Sequence, residues 1–497
     1  MKSASAYSSR FLAMTWAALV LLSIALYWPN LHAPYFSDDF LFFFDSPPPH
    51  LYDYFSKMGA AAHAYRPLEA IILTVIQQHF RFETFPIHLA SFCAHSAVVC
   101  VVLAAARRLR MGVIAAFLAC AFTFVGQVSV TTVLGNDTLS QAASALFGCL
   151  SVFFLYTACL DRPQEHSSPQ TVRIVLSVAF YAMALFFKET ALGFFLVVMI
   201  LTAVIVSREP GWPARSRRAL LFSAPFITVT LAYLAARLHA GGHYSGAGIY
   251  HMGLGFNVIR NLAEFSLAAF GPFSTVSAAS SFQSGNKPFL VLAALGWIFV
   301  VAILVIGVTL SIRKRLVLCL AACALASLFP TYLLSHVSEL YLYNAMPFLG
   351  LMVGIALASL FDRSQASRIL AITCAALLLV TQIHADRQKA DLMTENGRRA
   401  ASMMASIAQF MTKLPPHSEI LLVNAQGLRP EYSVFVLSGF DVLEFGTYKL
   451  GPLLGRSDVN VRIIEETDAR KLEPQPNLLM LKLVGDVIQP YTPALIQ

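Results

Sequence analysis

The chain reads as an all-α polytopic membrane protein of about eleven transmembrane helices, followed by a small C-terminal α/β extracytoplasmic domain. Three observations predict this class. Of the 497 residues, 57% are hydrophobic and only 12% charged, roughly half the charged share of a soluble domain. Apolar runs long enough to cross a bilayer recur between residues 11 and 384, and in lipid such runs are helices because every backbone group must be satisfied internally. After residue 385 the pattern stops: residues 386–497 carry 12 basic and 13 acidic residues and no cysteine.

Residues 11–27 form the first span and, with Lys2 and Arg10 before it, read as a retained signal-anchor. Ten more spans are expected at 85–106, 112–128, 139–159, 172–187, 190–206, 219–237, 289–311, 316–334, 345–361 and 369–384. One further apolar segment, 256–273, contains Asn257, Arg260, Asn261 and Glu264. With eleven spans and a cytoplasmic N-terminus, the inner loops hold 16 basic residues against 7 outside before the tail. Counting 256–273 as a span would move Arg313, Lys314, Arg315, Arg363 and Arg368 outside and erase that bias. The segment is therefore expected to lie on, or dip into, the outer face. With the flexible stretch before it, residues 239–275 are expected to act as a lid that orders when a ligand binds.

The same topology explains the net charge of +8. The cations are topological and basic at the inner face, which excludes a nucleic-acid partner. All eight cysteines fall in apolar segments without C-x-x-C spacing, so they read as core residues. In the tail, 386–413 reads as a helix ended by Pro415-Pro416, and four short apolar runs follow (EILLVN, YSVFVLSGF, VNVRII, NLLMLKLV). These are strand-length. The expected units are thus 1–385, with a first outer loop at 28–84, and an outer domain at 386–497.

Ten of the fourteen Asp and Glu before residue 386 lie on the outer side. Chemistry that needs carboxylates therefore faces the periplasm or lumen. The adjacent Asp38 and Asp39 follow the first span directly. Two neighbouring carboxylates raise one another's proton affinity, so one can act as a base while the other binds an acceptor hydroxyl or a cation. The alternative is that the pair simply caps a short helix. Arg66, ahead of Pro67 in a helix's first turn, suits phosphate recognition, or snorkelling to headgroups. His88 and His95 share a helix face, but their spacing is not a zinc motif. Lys188-Glu189 interrupts two spans without any Gly, Asn or Pro to mark a turn. Arg237 ends another span on the same side, as do His336, Glu339 and Tyr341.

Taken together, FSDDF after the first span, YRPL before the second, IHLASFCAHS followed by AARRLR, FKETAL and ELYLY resemble the GT-C glycosyltransferases that use polyprenyl-phosphate sugars. The protein O-mannosyltransferases belong to that group. The resemblance covers about residues 10–385. Relatives often have Arg where this chain has Leu340, so one phosphate contact of that pattern is absent at that position. The tail lacks tetratricopeptide periodicity.

The resemblance implies a transferase of the inner (plasma) membrane. It would move a hexosyl or pentosyl unit from a polyprenyl-phosphate carrier to a hydroxyl of a lipid, glycan or protein acceptor, with inversion. Asp38 and Asp39 would be catalytic, and Arg66, Lys188, Glu189, Arg237, His336, Glu339 and Tyr341 would bind substrate. No cofactor is certain; a divalent metal, Mg or Mn, is a candidate, with Asp39 as ligand. The rival reading is a transporter or flippase, which would spread its ionisable residues through the bilayer. The Arg- and Ala-rich, Lys-poor composition points to a bacterium.

Overall fold

A computed structural model describes residues 9–42, 48, 50–57, 65–81, 83–160, 168–207, 211–241, 251–424, 434–473, 475–485 and 487–492. Residues 242–250 of the expected lid lie outside that set. Helix α1 (Ser9–Tyr27) leads through a 3-10 turn, Trp28–Asn30, to a second one, Ser37–Phe42. Helices α2 (Leu51–Ser56) and α3 (Pro67–Phe80) complete the first loop before α4 (Phe85–Arg108). Both α3 and α4 carry proline in the first turn, where its missing N–H would have had no partner anyway. Arg107 and Arg108 close α4, complementing the negative end of the helix dipole.

The expected span 112–128 divides into α5 (Val113–Phe124) and α6 (Ser129–Leu134). Then come α7 (Leu139–Leu160) and α8 (Ser168–Phe187), which pack along each other, α9 (Leu192–Val206) and α10 (Trp212–His239). Helix α11 (Phe256–Phe270) is the polar-faced segment that the charge bias kept out of the span count, and α12 (Thr275–Gln283) follows. At 15 residues, α11 is shorter than the ~20 a bilayer needs. Its polar side chains have a definite use. Asn257 and Asn261 donate to the carbonyls of Tyr332, Leu333 and Leu334, and Arg260 to that of Ser335. They satisfy a stretch of chain that is not α-helical, the short 3-10 turn Thr331–Leu333 and the irregular residues after it, a requirement wherever irregular backbone sits among apolar helices. The expected span 316–334 is accordingly shorter than the sequence suggests: α13 (Lys287–Leu310) is followed by α14 (Lys314–Ser327), which stops just before that stretch.

Helix α15 (Met346–Phe361) packs on α5 and α13. Its Gly354 sits against Ala115 and Ala119 of α5, small residues that let the two backbones approach. Helix α16 (Gln365–Met411) runs for 47 residues without a break, so the last expected span and the expected tail helix are one element. Ser364 caps its start by accepting from the Ser367 N–H at 3.2 Å. Seven helices among the described residues are long and apolar enough to cross a membrane. The other four expected spans are also helical, as α1, α5, α14 and α15.

The tail holds strands β1 (Glu419–Asn424), β2 (Asn460–Glu465), β3 (Leu478–Val484) and β4 (Val487–Pro490), with helices α17 (Thr447–Leu453) and α18 (Glu466–Ala469). The sheet order is β2-β1-β3-β4, with β1 parallel to both neighbours and β4 antiparallel to β3. Central β1 is buried along its middle four residues, as expected for a parallel strand covered on both faces. Alternate residues serve different cores. Ile420 and Leu422 join the large core shared with the helix bundle, while Leu421 and Val423 pack with Ala469 and Met480. The run YSVFVLSGF is not a strand where it is described: residues 434–438 are irregular and lead into a 3-10 turn, Gly439–Gly446. Its Phe435, Phe440, Val442 and Leu443 point into the shared core.

Candidate active site

The acidic pair separates into two different environments. Ser37, at φ 51, adopts the left-handed conformation and turns the chain into the 3-10 segment Ser37–Phe42. Backbone strain of this kind is uncommon outside glycine. Asp39 is 5% exposed and accepts three N–H bonds: from Phe36 N at 3.0 Å, Asn136 N at 3.1 Å and Asn136 Nδ2 at 2.9 Å. Its backbone N–H in turn donates to the Phe36 carbonyl. That backbone bond is the ordinary i→i−3 bond of a 3-10 turn, whereas the side-chain bond caps the turn's free Phe36 N–H, so the capping role falls on Asp39. Burial, and then the nearby Asp137, push its carboxyl well above the usual range, against the pull of those three donors. Asp38 is half-buried and accepts from Ser37 Oγ at 3.2 Å.

Beside this turn lies a cluster of opposite charges drawn from three other loops. Arg66 precedes α3, and its guanidinium forks onto Glu189, Nε to Oε2 at 3.0 Å and Nη2 to Oε1 at 2.9 Å. A third nitrogen lies 3.5 Å from Glu69. Glu69 is buried and accepts from the Ser140 N–H at 3.1 Å, at the N-terminus of α7, where a carboxylate is favoured. Lys188 is buried between α8 and α9. Burial, reinforced by the neighbouring Arg66, lowers its ammonium to about 8. Asp137, in the turn before α7, interacts with Lys188 and Arg66, and burial raises its carboxyl. The aromatic wall of the cluster is Tyr65, Phe186 and Tyr233, with ring centroids 5.7–6.4 Å apart. Tyr233 interacts electrostatically with Glu189 and with Arg237, one turn along α10, which brings Arg237 to the edge of the same group. The buried Tyr233 hydroxyl has no hydrogen-bond partner among the described residues.

Glu339 stands in a second, linked group. It forms an ion pair with Lys389 of α16 and accepts from Thr275 Oγ1. Lys389 is fully buried, with the Phe435 ring 5.1 Å away. One turn back on α16, Asp386 accepts from the Tyr27 hydroxyl at 2.8 Å. The two groups meet through Asn344, at the end of the 3-10 segment Glu339–Asn344. Its Oδ1 accepts from Gln141 at 2.7 Å, and its Nδ2 lies 3.4 Å from the Thr190 carbonyl, next to Glu189. Tyr341, on the same segment, and His336, three residues before it begins, are half-buried.

Sequence reasoning missed Glu69, Asn136, Asp137, Tyr233 and Lys389. In the sequence, Asn136-Asp137-Thr138 shows only a sequon pattern in a very short loop. His95 is satisfied structurally, between the Tyr343 hydroxyl and the Phe124 carbonyl. His88 Nδ1 faces the Leu31 carbonyl at 2.8 Å, whereas its buried Nε2 has no hydrogen-bond partner among the described residues. Among the described residues no group of three His, Cys, Asp or Glu is placed to hold a metal. Asp39 Oδ2 accepts two N–H bonds and Oδ1 one, so these bonds use three of the carboxylate's roughly four lone-pair sites.

No protein-family model matches the sequence, and no curated protein matches it. Among solved structures, it is similar to ArnT from Cupriavidus metallidurans in the apo state. That likeness has a TM-score of 0.51 and 13% identity over 95% of this chain and 93% of that one. The same protein bound to undecaprenyl phosphate is matched at a TM-score of 0.49 and 12% identity, over 96% of this chain and 93% of that one. At such identity the likeness speaks for architecture, and it extends over nearly the whole of both chains. This chain is a polytopic helical membrane protein with the fold of ArnT.

Proposed function

We propose that this protein is an integral membrane glycosyltransferase that moves a sugar from a polyprenyl-phosphate carrier to an acceptor hydroxyl at the extracytoplasmic face. The observation that carries this reading is the convergence of Asp38, Asp39, Arg66, Glu69, Asp137, Lys188 and Glu189 at one end of the bundle, on a fold shared with ArnT. A flippase would need its charges along a path through the bilayer. Here they are gathered where four loops meet.

Asp38 takes the acceptor hydroxyl's proton as the acceptor oxygen attacks the anomeric carbon. The bond from that carbon to the phosphate oxygen breaks on the opposite face, so configuration inverts. The leaving polyprenyl phosphate gains negative charge, and Lys188, Arg66 and Arg237 supply preorganised cations for it. Glu189 and Glu69 engage all three nitrogens of Arg66 and fix its plane, and among the described residues its second Nη1 and Nη2 hydrogens remain for a phosphate. Asp39 holds the turn that presents Asp38. His336, Glu339 and Tyr341 would line the substrate side of the Asn344 segment. A lipid-borne donor explains why transfer chemistry is built into a helix bundle: its tail never leaves the membrane. The GT-C resemblance and the charge bias together favour the inner (plasma) membrane, with the N-terminus cytoplasmic and the 386–497 unit periplasmic. The test is sugar transfer by the purified protein from a panel of polyprenyl-phosphate hexoses and pentoses. Transfer with inversion supports the reading, and vesicle-to-vesicle movement of a lipid-linked substrate without transfer would replace it with the flippase.

A further inference from the structure

We infer that residues 434–446 of the C-terminal unit are a positioning element of the candidate site, and that Asn396 and Arg399 hold that element in place. The inference rests on the transferase reading above. The turn bearing Asp38 is poorly supported by its own backbone: between α1 and α2 the described chain offers only two short 3-10 turns, whose hydrogen bonds are weaker than those of an α-helix. The Asp39 bonds to Asn136 tie one side of it to the loop before α7, and its remaining support comes from what packs on it. That is the 3-10 turn Gly439–Gly446, whose buried Phe440, Val442 and Leu443 share a core with Phe36 and Phe40.

Residues 434–438 have no strand or helix ladder. Their carbonyls are satisfied instead by two side chains one turn apart on α16. Asn396 Nδ2 donates to the Val434 and Phe435 carbonyls at 3.1 and 3.3 Å, and Arg399 to that of Leu437 at 3.0 Å. The next residues are tied to the end of β1. Gly439, at φ 52, sits against the Asn424 carboxamide, which accepts from Phe440 N at 3.0 Å and donates to Asp441 at 2.7 Å. From this segment two routes reach the site. One passes directly from the Gly439–Gly446 turn to the Ser37–Phe42 turn packed on it. The other passes through the Phe435 ring to Lys389 and so to Glu339. The C-terminal unit is thus part of the reaction centre's scaffold rather than an appended module. Asn396 and Arg399 act through it without touching substrate.

The test uses the full-length protein carrying Asn396→Ala together with Arg399→Ala. Amide hydrogen exchange should quicken at 434–440 and also at 36–42, with α4 and α7 unchanged. Per folded molecule, kcat should fall about tenfold while the donor KM stays within twofold, because the phosphate cations are not displaced. Arg399→Lys should retain most of kcat by keeping a donor to the Leu437 carbonyl. A merely structural role would lower protein yield and leave both constants of the surviving molecules alone. Quicker exchange at 434–440 with 36–42 unaffected, or an unchanged kcat, overturns the inference. If the double variant does not accumulate, Arg399→Ala alone, at a half-buried position, carries the same readouts. Should the wild type transfer no sugar, the transferase reading falls. The exchange measurement needs no substrate and still decides whether 434–446 governs the turn.

Discussion

Replacing each member of the acidic pair by its amide should give two unlike results, and the hydrogen bonds predict which is which. Asp39 offers two oxygens to three N–H donors. Asparagine offers one. With that oxygen in the Oδ2 place, the Phe36 and Asn136 Nδ2 bonds survive, and the new NH2 faces the Asn136 backbone N–H. One buried donor is stranded, which costs about 1–3 kcal/mol, and the two surviving bonds lose their charge assistance. A total of about 2–4 kcal/mol is a large part of the ~5–15 kcal/mol that holds a typical protein folded. Asp39→Asn should therefore lower the thermal midpoint and the monodisperse yield in detergent. Asp38 is half-buried, and its bond from Ser37 Oγ is one that an amide oxygen can keep, so Asp38→Asn should fold normally. Its transfer rate should drop by ~10²–10⁴, the usual contribution of a general base. Full transfer by Asp38→Asn removes Asp38 as the base. An Asp39→Asn protein as stable as wild type refutes the account of the turn.

Other outcomes follow from the same geometry. The Lys188 ammonium, held at about 8, is a cation below that pH and neutral above it, so kcat/KM for the donor should decline above pH ~8, well short of an ordinary lysine at ~10.4. Lys188→Arg should abolish that limb. Between those values the unfolded chain binds more protons, so this group makes folding stability rise with pH, and the decline is not unfolding; a flat profile to pH 10 would exclude Lys188 from phosphate binding. Gly397 of α16 lies against Pro34, whose carbonyl a Cβ would strike, so Gly397→Ala should destabilise by about 1–3 kcal/mol in thermal melts. Accessibility reporters should place Gly59 and Gln475 outside and Ser216 and Ser364 inside. An inside result at Gln475 would restore 256–273 as a span.

Much of this architecture could be read from the chain. All eleven apolar runs are helices, because a bilayer leaves the backbone little choice, and charge bias set α11 apart without any coordinates. The site was legible as a membrane side more than as a set of contacts. Arg66, Lys188 and Glu189 do come together, but a linear reading could not show that Asp39 is spent on Asn136, 97 positions away. Lys389 was hidden because polarity changes at residue 386, whereas a helix's hydrogen bonds are indifferent to polarity and α16 simply continues. YSVFVLSGF has strand composition, yet tertiary packing drew its apolar side chains into a turn.

That uninterrupted helix has a mechanical consequence. At 1.5 Å per residue, α16 climbs about 36 Å from Gln365 to Lys389, a little more than the ~30 Å of a bilayer's hydrocarbon. Arg363 and Arg368 fasten its lower end through the carbonyls of Leu310 and Phe361, and no kink is available to absorb a mismatch. The helix thus works as a ruler. It sets how far above the lipid boundary the Lys389–Glu339 pair stands, while a lipid-carried phosphate floats at a height set by the bilayer itself. Turnover in vesicles should then peak at one acyl chain length and fall on either side, as thicker or thinner membranes move the substrate past a fixed mark.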